Sequence, residues 1–449
     1  MKDLTKGNIY KTFILFAIPL VLSSLLSQAY TTIDVIMAGK LLGDDALGAT
    51  GAISPFSTFI NSVFWGYAMG VGVYLSHLFG AKDYAKIKQV VINNLTMYSA
   101  VLMMISLLFV TFRYSIYDLL NVDPQIVEEC NSYFVVITLG KVFIMFGTFC
   151  VFTCHAFGDS TFPLVMSSLS AILNILSSAA CVVLLGTGVE GLAYGSVFAG
   201  VVVTVMYVWK LRSVFKKMDV QGVKTQFRLG VIRDTSKYAI PTMMQQSVMY
   251  FAGLILSPMV NSLGSAASAS YTVTLRIHDL NANIYINSSR TLGNYVAQCY
   301  GAKKYHLLKK GVRVGLVQSF ALVLPVILAS SLFAPQVANL FYGSDANPVS
   351  VGYTVDFLRY CLPFLSIAVV ANLFHNFFRG MGRMKALLIM TIAGAVIRIL
   401  ISALLIGRYG IYGYYAGWMS SWLLDASVGV FLYFFGNWKK QLPQETLET

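Results

Sequence analysis

Long apolar runs separated by short polar punctuation dominate the chain. Twelve such runs stand out, at about 12–37, 46–76, 89–112, 131–155, 161–185, 190–211, 235–262, 266–298, 311–333, 353–378, 385–406 and 411–436. A helix needs roughly 20 mostly apolar residues to cross about 30 Å of hydrocarbon, and each run meets that length. The runs are continuous rather than alternating in ten-residue strands, which excludes a barrel, whereas a helix pairs its own backbone groups in lipid. The pattern therefore predicts an all-α polytopic membrane protein with twelve transmembrane helices. Lys2, Lys6 and Lys11 precede a first run that is longer than a signal-peptide core and lacks a small-residue cleavage pattern, so it is expected to stay as the first helix.

Composition agrees, since 57% of the residues are hydrophobic and 11% charged, too little polar surface to solvate a globule of this size. With the N-terminus inside, twenty-four of the 32 Lys and Arg fall on the cytoplasmic side. They cluster at the N-terminus, in residues 82–88, 210–237, 303–313 and 379–385, and at Lys439 and Lys440. Lys40, Arg113 and Arg408 fall outside. This asymmetry predicts a multi-pass plasma (inner) membrane protein with both termini cytoplasmic. The net charge of +13 is then a topology signal that also favours anionic lipid headgroups, and no nucleic-acid partner is expected. The six Cys show no paired metal spacing, and Cys150, Cys154 and His155 read as packing on one helix. Without a phosphate-cradling loop, a zinc-peptidase pattern or a nucleophile elbow, the chain reads as no enzyme and needs no cofactor or metal. Energy is expected from an ion gradient, proton or sodium, and the chain is taken as a monomer.

A duplication organises the sequence. Gly80-Ala81-Lys82-Asp83-Tyr84 with Lys88 recurs as Gly301-Ala302-Lys303-Lys304-Tyr305 with Lys309, and Phe16-Ala17-Ile18-Pro19 recurs as Tyr238-Ala239-Ile240-Pro241. Gly188, Gly191 and Gly195 match Gly410, Gly413 and Gly417. A constant shift of about half the chain predicts two pseudo-symmetric six-helix bundles. Their expected bounds are residues 1–211 and 235–449, with a cytoplasmic linker at 212–234. An even helix number per copy inserts both the same way up, as in transporters whose two bundles rock around a shared site.

Polar residues inside apolar runs nominate the chemistry. Asp34 lies near the outer end of the first helix, after Ser23, Ser27, Gln28, Tyr30, Thr31 and Thr32. A carboxylate at that depth must be protonated, paired or coordinating a cation, as a coupling site requires; an interfacial Asp near Asp44 and Asp45 is the plainer alternative. In the fifth helix Ser167, Ser170, Asn174, Ser177 and Ser178 share one face, which fits close packing as well as a polar site. Lys141 is a charge at depth that either pairs with a carboxylate such as Asp34 or snorkels outward. In the eighth helix Arg276, Asp279, Asn283, Asn287 and Arg290 form a polar stripe, within which Arg276 and Asp279 are one turn apart. Asn372, His375, Asn376 and Arg379 add polarity in the tenth, and Arg398 stands where the duplication places Asn174, with Ser402 answering Ser178. Tyr30, Lys141, Arg276, Asp279, Asn283 and Arg398 are thus the candidate substrate-cavity residues, and the second half is the more cationic.

With these residues the chain resembles the multidrug and toxic compound extrusion family over nearly its whole length. The resemblance rests on the duplication, on Tyr30-Thr31-Thr32-Ile33-Asp34 followed by Gly39, Leu42-Gly43 and Ala46, on the two Gly-Ala-Lys turns, and on Gly158-Asp159-Ser160-Thr161 with Pro163 and Asn174-Ile175. It implies export of small amphipathic, often cationic organic molecules in exchange for protons or sodium, by alternating access. It further implies a coupling site of Asp34, Asn174, position 178 and Ser196. Position 178 is Ser where the family pattern has an acid, which favours a proton over sodium. The basic second half leaves an anionic or zwitterionic substrate open. A flippase for an anionic lipid-linked saccharide is the alternative, and a membrane enzyme acting on polyprenyl phosphates lacks the clustered acids it would need for magnesium.

Overall fold

The computed structural model describes residues 1–120, 122–343 and 347–438. The basic pair Lys439 and Lys440, assigned above to the cytoplasmic end, lies outside the described residues. The helices are α1 (Ile9–Met37), α2 (Asp44–Gly80), α3 (Tyr84–Thr111), α4 (Arg113–Leu119), α5 (Val127–Ala156), α6 (Thr161–Ala179), α7 (Glu190–Lys217), α8 (Leu229–Asn261), α9 (Ser265–Gly301), α10 (Leu307–Leu332), α11 (Ala334–Asn339), α12 (Pro348–Asp356), α13 (Leu365–Gly380), α14 (Met384–Tyr409) and α15 (Ile411–Phe435). Among the described residues there is no strand.

The fold is an all-helical membrane architecture of twelve spans. The short helices α4 and α11 do not span, and α12 continues through a π segment and a 3₁₀ turn at Pro363 into α13 as one crossing, Pro348–Gly380. Among the described residues nine helical segments are long and apolar enough to cross a membrane on length and composition alone. The other three spans, α2, α8 and α9, are the more polar ones.

The duplication is written into the backbone. Lys82 and Lys303 both take left-handed φ, 58° and 57°. Around each, the N–H three residues past the helix end reaches back five residues, Asp83 to the Leu78 carbonyl at 3.0 Å and Lys304 to the Cys299 carbonyl at 2.9 Å. This is the closure that satisfies the last carbonyls of a helix, and it explains why the Gly-Ala-Lys turn recurs after α2 and α9. The turns after α5 and α13 match in the same way, with Gly158 and Gly382 at φ 69° and 73°. Helix pairing repeats as well. A Cβ on Gly195 would sit 2.6 Å from the Ser178 backbone nitrogen, and one on Gly417 would sit 2.8 Å from the Arg398 carbonyl. Glycine therefore lets α7 close on α6 and α15 close on α14, as small residues do between membrane helices.

By contacts the chain forms two compact units, Met1–Lys2 with Leu22–Ala239, and Asp3–Val21 with the chain from Ile240 on. The changeover inside α1 follows Pro19, whose missing N–H removes one hydrogen bond from the helix ladder. In the first unit Ala49, Ile53, Tyr117, Cys130 and Phe134 form a buried cluster. The segment after α7 is pinned there, because the Lys88 ammonium donates to the carbonyls of Val220, Gln221 and Val223 at 3.0, 3.0 and 2.8 Å. In the second unit two larger clusters centre on Phe357 with Tyr414, and on Phe13 with Phe377.

Candidate functional site

In the first unit, α1 brings Asp34 against α6. The carboxylate is half-buried and adjacent to the Asn174 side chain. Asn174 is 2% exposed and donates to Ser196 Oγ of α7 at 2.8 Å. Tyr30 and Tyr133 lie close enough to feel the charge of Asp34. Nearer the N-terminal ends of the same two helices, Ser23 Oγ donates to Ser167 Oγ at 3.2 Å. Asp34 Oδ1 and Asn174 Oδ1 are both buried and lack a donor among the described residues. A buried acceptor without a donor is costly in a low-dielectric interior, and a proton or cation bound at Asp34 removes that cost.

Ser178 stands apart from this group. It is fully buried, its hydroxyl donates to the Leu192 carbonyl at 3.4 Å, and it packs against Gly195 at the α6–α7 seam. Lys141 is buried on α5, and among the described residues it forms no ion pair, so the pairing with Asp34 that its depth allows is not made. Outside the spans, Asp159 in the α5–α6 turn pairs with Lys210 at 2.7 Å. Burial pushes its carboxyl up, but the Lys210 ammonium and the Phe162 N–H outweigh that and hold it below the usual carboxylate range.

In the second unit the polar stripe on α9 is real but satisfied differently from expectation. Arg276 and Asp279 are exposed and form no ion pair with each other; Asp279 instead meets His278 Nδ1 at 3.2 Å. Asn283 and Asn287 donate to the carbonyls one turn back, at 2.8 and 2.7 Å, and Arg290 donates to Asn287 Oδ1 at 2.7 Å.

Arg398 is not a bare charge. Its guanidinium lies 5.1 Å from the Trp418 ring centroid and 5.7 Å from that of Tyr414, and donates to the Tyr414 hydroxyl at 3.0 Å. His278 stacks on Trp418 at 4.6 Å, extending the pile. Arg398, Trp418, Trp422, Ser421, Thr391 and Asp425 line a small cavity of about 40 Å³, and Arg398 Nε is buried without an acceptor. Deeper still, Arg379 of α13 donates to Asn376 Oδ1 at 2.8 Å and to Gln245 Oε1 of α8. Gln245 Nε2 is 3.2 Å from His375 Nδ1, and His375 Nε2 is 2.9 Å from Asp425 Oδ1 of α15.

Sequence reasoning found His375 and Arg379 but missed Gln245 and Asp425. Asp425 had one legible signal, a lone carboxylate in the middle of the last apolar run. Gln245 had none, since an uncharged amide in mid-helix is unremarkable until its partners are known. No group of three or more His, Cys, Asp or Glu that would hold a metal ion occurs among the described residues.

Residues 19–179 and 241–404 match the MatE family model. The multidrug export protein MepA of Staphylococcus saprophyticus is 21% identical over 415 residues, covering 91% of this chain and 90% of that protein. Among solved structures, an outward-facing multidrug resistance MATE family transporter of the MOP superfamily superposes with a TM-score of 0.88 at 23% identity, over 96% of both chains. A MOP superfamily transporter from Pyrococcus furiosus, described as having a binding pocket of reverse polarity that suggests a different function, superposes with a TM-score of 0.87 at 23% identity, again over 96% of both chains.

Proposed function

The chain belongs to the MatE family, the multidrug and toxic compound extrusion transporters, and from that premise we propose that it exports small amphipathic organic molecules in exchange for protons. In this reading two six-helix lobes, residues 1–211 and 235–449, joined by the linker 212–234, alternate access across the plasma membrane, with both termini cytoplasmic and one chain as the working unit. The observation that carries proton coupling is Asp34 itself, a carboxylate in a membrane-spanning helix beside the Asn174 side chain, whose buried Oδ1 has no donor among the described residues. A proton on Asp34 removes the cost of holding a charged carboxylate there. Sodium would need several oxygen ligands, and this site offers one carboxylate, with the Ser178 hydroxyl turned to the α6–α7 seam.

Asp34→Asn keeps the shape but cannot cycle a proton. In proteoliposomes it is expected to abolish export driven by a pH gradient, with melting temperature and counterflow of the same substrate retained. Export at the wild-type rate in that variant removes Asp34 from the coupling role. Replacing the pH gradient by a sodium gradient is expected to drive nothing in the wild type.

A second reading, a flippase for an anionic lipid-linked saccharide, draws support from Arg398 at the small cavity and from Arg290 and Arg379, which lie within electrostatic reach of each other in the same unit. Counterflow across cationic dyes, organic anions and lipid-linked sugars separates the two. Exchange of the lipid-linked sugar alone favours the flippase.

A further inference from the structure

In the second unit α1 and α10 enclose an apolar groove. Both walls stand on α9: Phe13 of α1 meets the Tyr295 ring edge-on at 5.1 Å, and Gln318 Nε2 of α10 donates to Ser288 Oγ at 3.2 Å. Ile14, Ala17 and Ile18 line one side, and Val317 and Ala321 the other, around a hollow of about 230 Å³. The two alanines are small enough to leave that space. Ile14, Ile18 and Val317 are 50%, 43% and 60% exposed, as a wall facing hydrocarbon is. One polar atom interrupts it. Gln318 borders the groove and is 7% exposed, and its Oε1 is buried with no donor among the described residues. A groove lined by apolar side chains and open to hydrocarbon holds no water to supply that donor, which leaves it to the occupant.

Positive charge gathers at one end of the groove. Helical spacing puts Lys11 on the face of Ile14 and Ile18, and Lys310 and Arg313 on the face of Val317 and Ala321. As the first and ninth spans, α1 and α10 cross in the same direction, so the three bases near their starts belong to one membrane surface. Lys11, Lys310 and Arg313 are exposed, and among the described residues none of them forms an ion pair.

We propose that the α1–α10 groove is a binding site for an anionic phospholipid with a hydroxyl-bearing headgroup, of the phosphatidylglycerol type. One acyl chain fills the hollow while the other stays in the bilayer, and the phosphate lies among Lys11, Lys310 and Arg313. A headgroup hydroxyl donates to Gln318 Oε1. Side chains on a helix lean toward its N-terminus, so the Gln318 amide reaches back toward the turn that carries the bases. Apolar packing by itself does not discriminate among lipids, whereas basic residues at the edge of the hydrocarbon favour an anionic headgroup. The same three charges disfavour an organic cation as the occupant. On the topology proposed above this is the cytoplasmic leaflet, and the binding itself depends neither on that orientation nor on Asp34.

The test is a lipid count. Purified full-length protein is placed in phosphatidylcholine nanodiscs doped with phosphatidylglycerol or with phosphatidylethanol, which carries the same charge without the hydroxyls, and native mass spectrometry counts the lipids retained on release. The wild type is expected to retain phosphatidylglycerol over phosphatidylethanol, and either over phosphatidylcholine. Lys11→Gln, Lys310→Gln and Arg313→Gln should each weaken both anionic lipids about fivefold. Gln318→Met should bring phosphatidylglycerol down to the level of phosphatidylethanol and leave the latter unchanged. Ala321→Phe, which fills the hollow, should abolish retention of both. Melting curves in the same discs identify an unfolded variant, and Ala321→Leu then takes its place. Equal retention of all three lipids by the wild type overturns the proposal. So does a loss on removing the charges with none on filling the groove, which marks headgroup attraction to the surface alone. An equal loss of both anionic lipids with Gln318→Met overturns the hydroxyl contact. No transport enters the readout, so this site and the proposed export activity fail or stand separately.

Discussion

Asn174 in the first unit and Arg398 in the second occupy equivalent places, each one turn before a serine wedged against a glycine of the following helix. Ser178 meets Gly195 and Ser402 meets Gly417 in the same manner, yet one turn away an amide beside a carboxylate has become a guanidinium stacked on tryptophan. The turn preceding each of these helices repeats the contrast. Asp159 and Arg383 both send their N–H back to the fifth residue before them, but one is an acid paired with Lys210 and the other a base. Close backbone approach tolerates only small residues, so the seams kept their identity through the duplication. Side chains that face a cavity have no such steric constraint, and there the two halves were free to acquire opposite chemistry. The first unit offers an acidic acceptor site and the second a basic, aromatic one.

The largest effects are expected where the halves are alike. Gly195→Val and Gly417→Val both drive a side chain into backbone, at 2.6 Å from the Ser178 nitrogen and 2.8 Å from the Arg398 carbonyl, and each should cost about 3 kcal/mol. Melting in detergent measures both, and a loss in only one would break the equivalence of the seams. Ser178→Asp should cost a similar amount, about 3 kcal/mol, because the seam buries the new carboxylate without a partner. It should also confer no sodium dependence on transport. Recovery of sodium-driven export with unchanged melting would place position 178 in the coupling site after all.

Where the halves differ, the effects should be selective. Arg398→Asn makes the second unit resemble the first, and counterflow of anionic probes should fall about tenfold relative to cationic dyes, equivalent to about 1.4 kcal/mol. Loss of its contact with Trp418 should lower stability by about 1 kcal/mol at most. Unchanged selectivity would reduce Arg398 to a packing residue. The smallest effect is expected at Asp159→Asn, about 1 kcal/mol from the partly exposed pair with Lys210. Because the folded carboxyl is held below its usual range, its contribution is complete above the unfolded value of about 4 and is lost as pH falls through the lower folded value. Urea unfolding of wild type and variant should therefore differ at pH 7 and converge only well into acid.

What the sequence by itself determined is what depends on local and periodic physics. Apolar run length set the helical spans, because a bilayer accepts no other unclosed structure. The Gly-Ala-Lys turns were legible because helix closure needs a left-handed residue there, and the glycines at 195 and 417 because backbone contact excludes a Cβ. Asp34 and Asn174 were legible as polar groups that lipid cannot solvate. Tertiary structure decided the partners. It gave Asp279 to His278 rather than Arg276, left Lys141 without an ion pair among the described residues, turned Ser178 into the α6–α7 seam, and joined Gln245, His375 and Asp425 from three helices into one hydrogen-bonded chain. Periodicity along one helix says which face a side chain occupies. Which residue of another helix meets it depends on crossing points that no single helix encodes, and a buried polar group takes its chemistry from the partner it meets there.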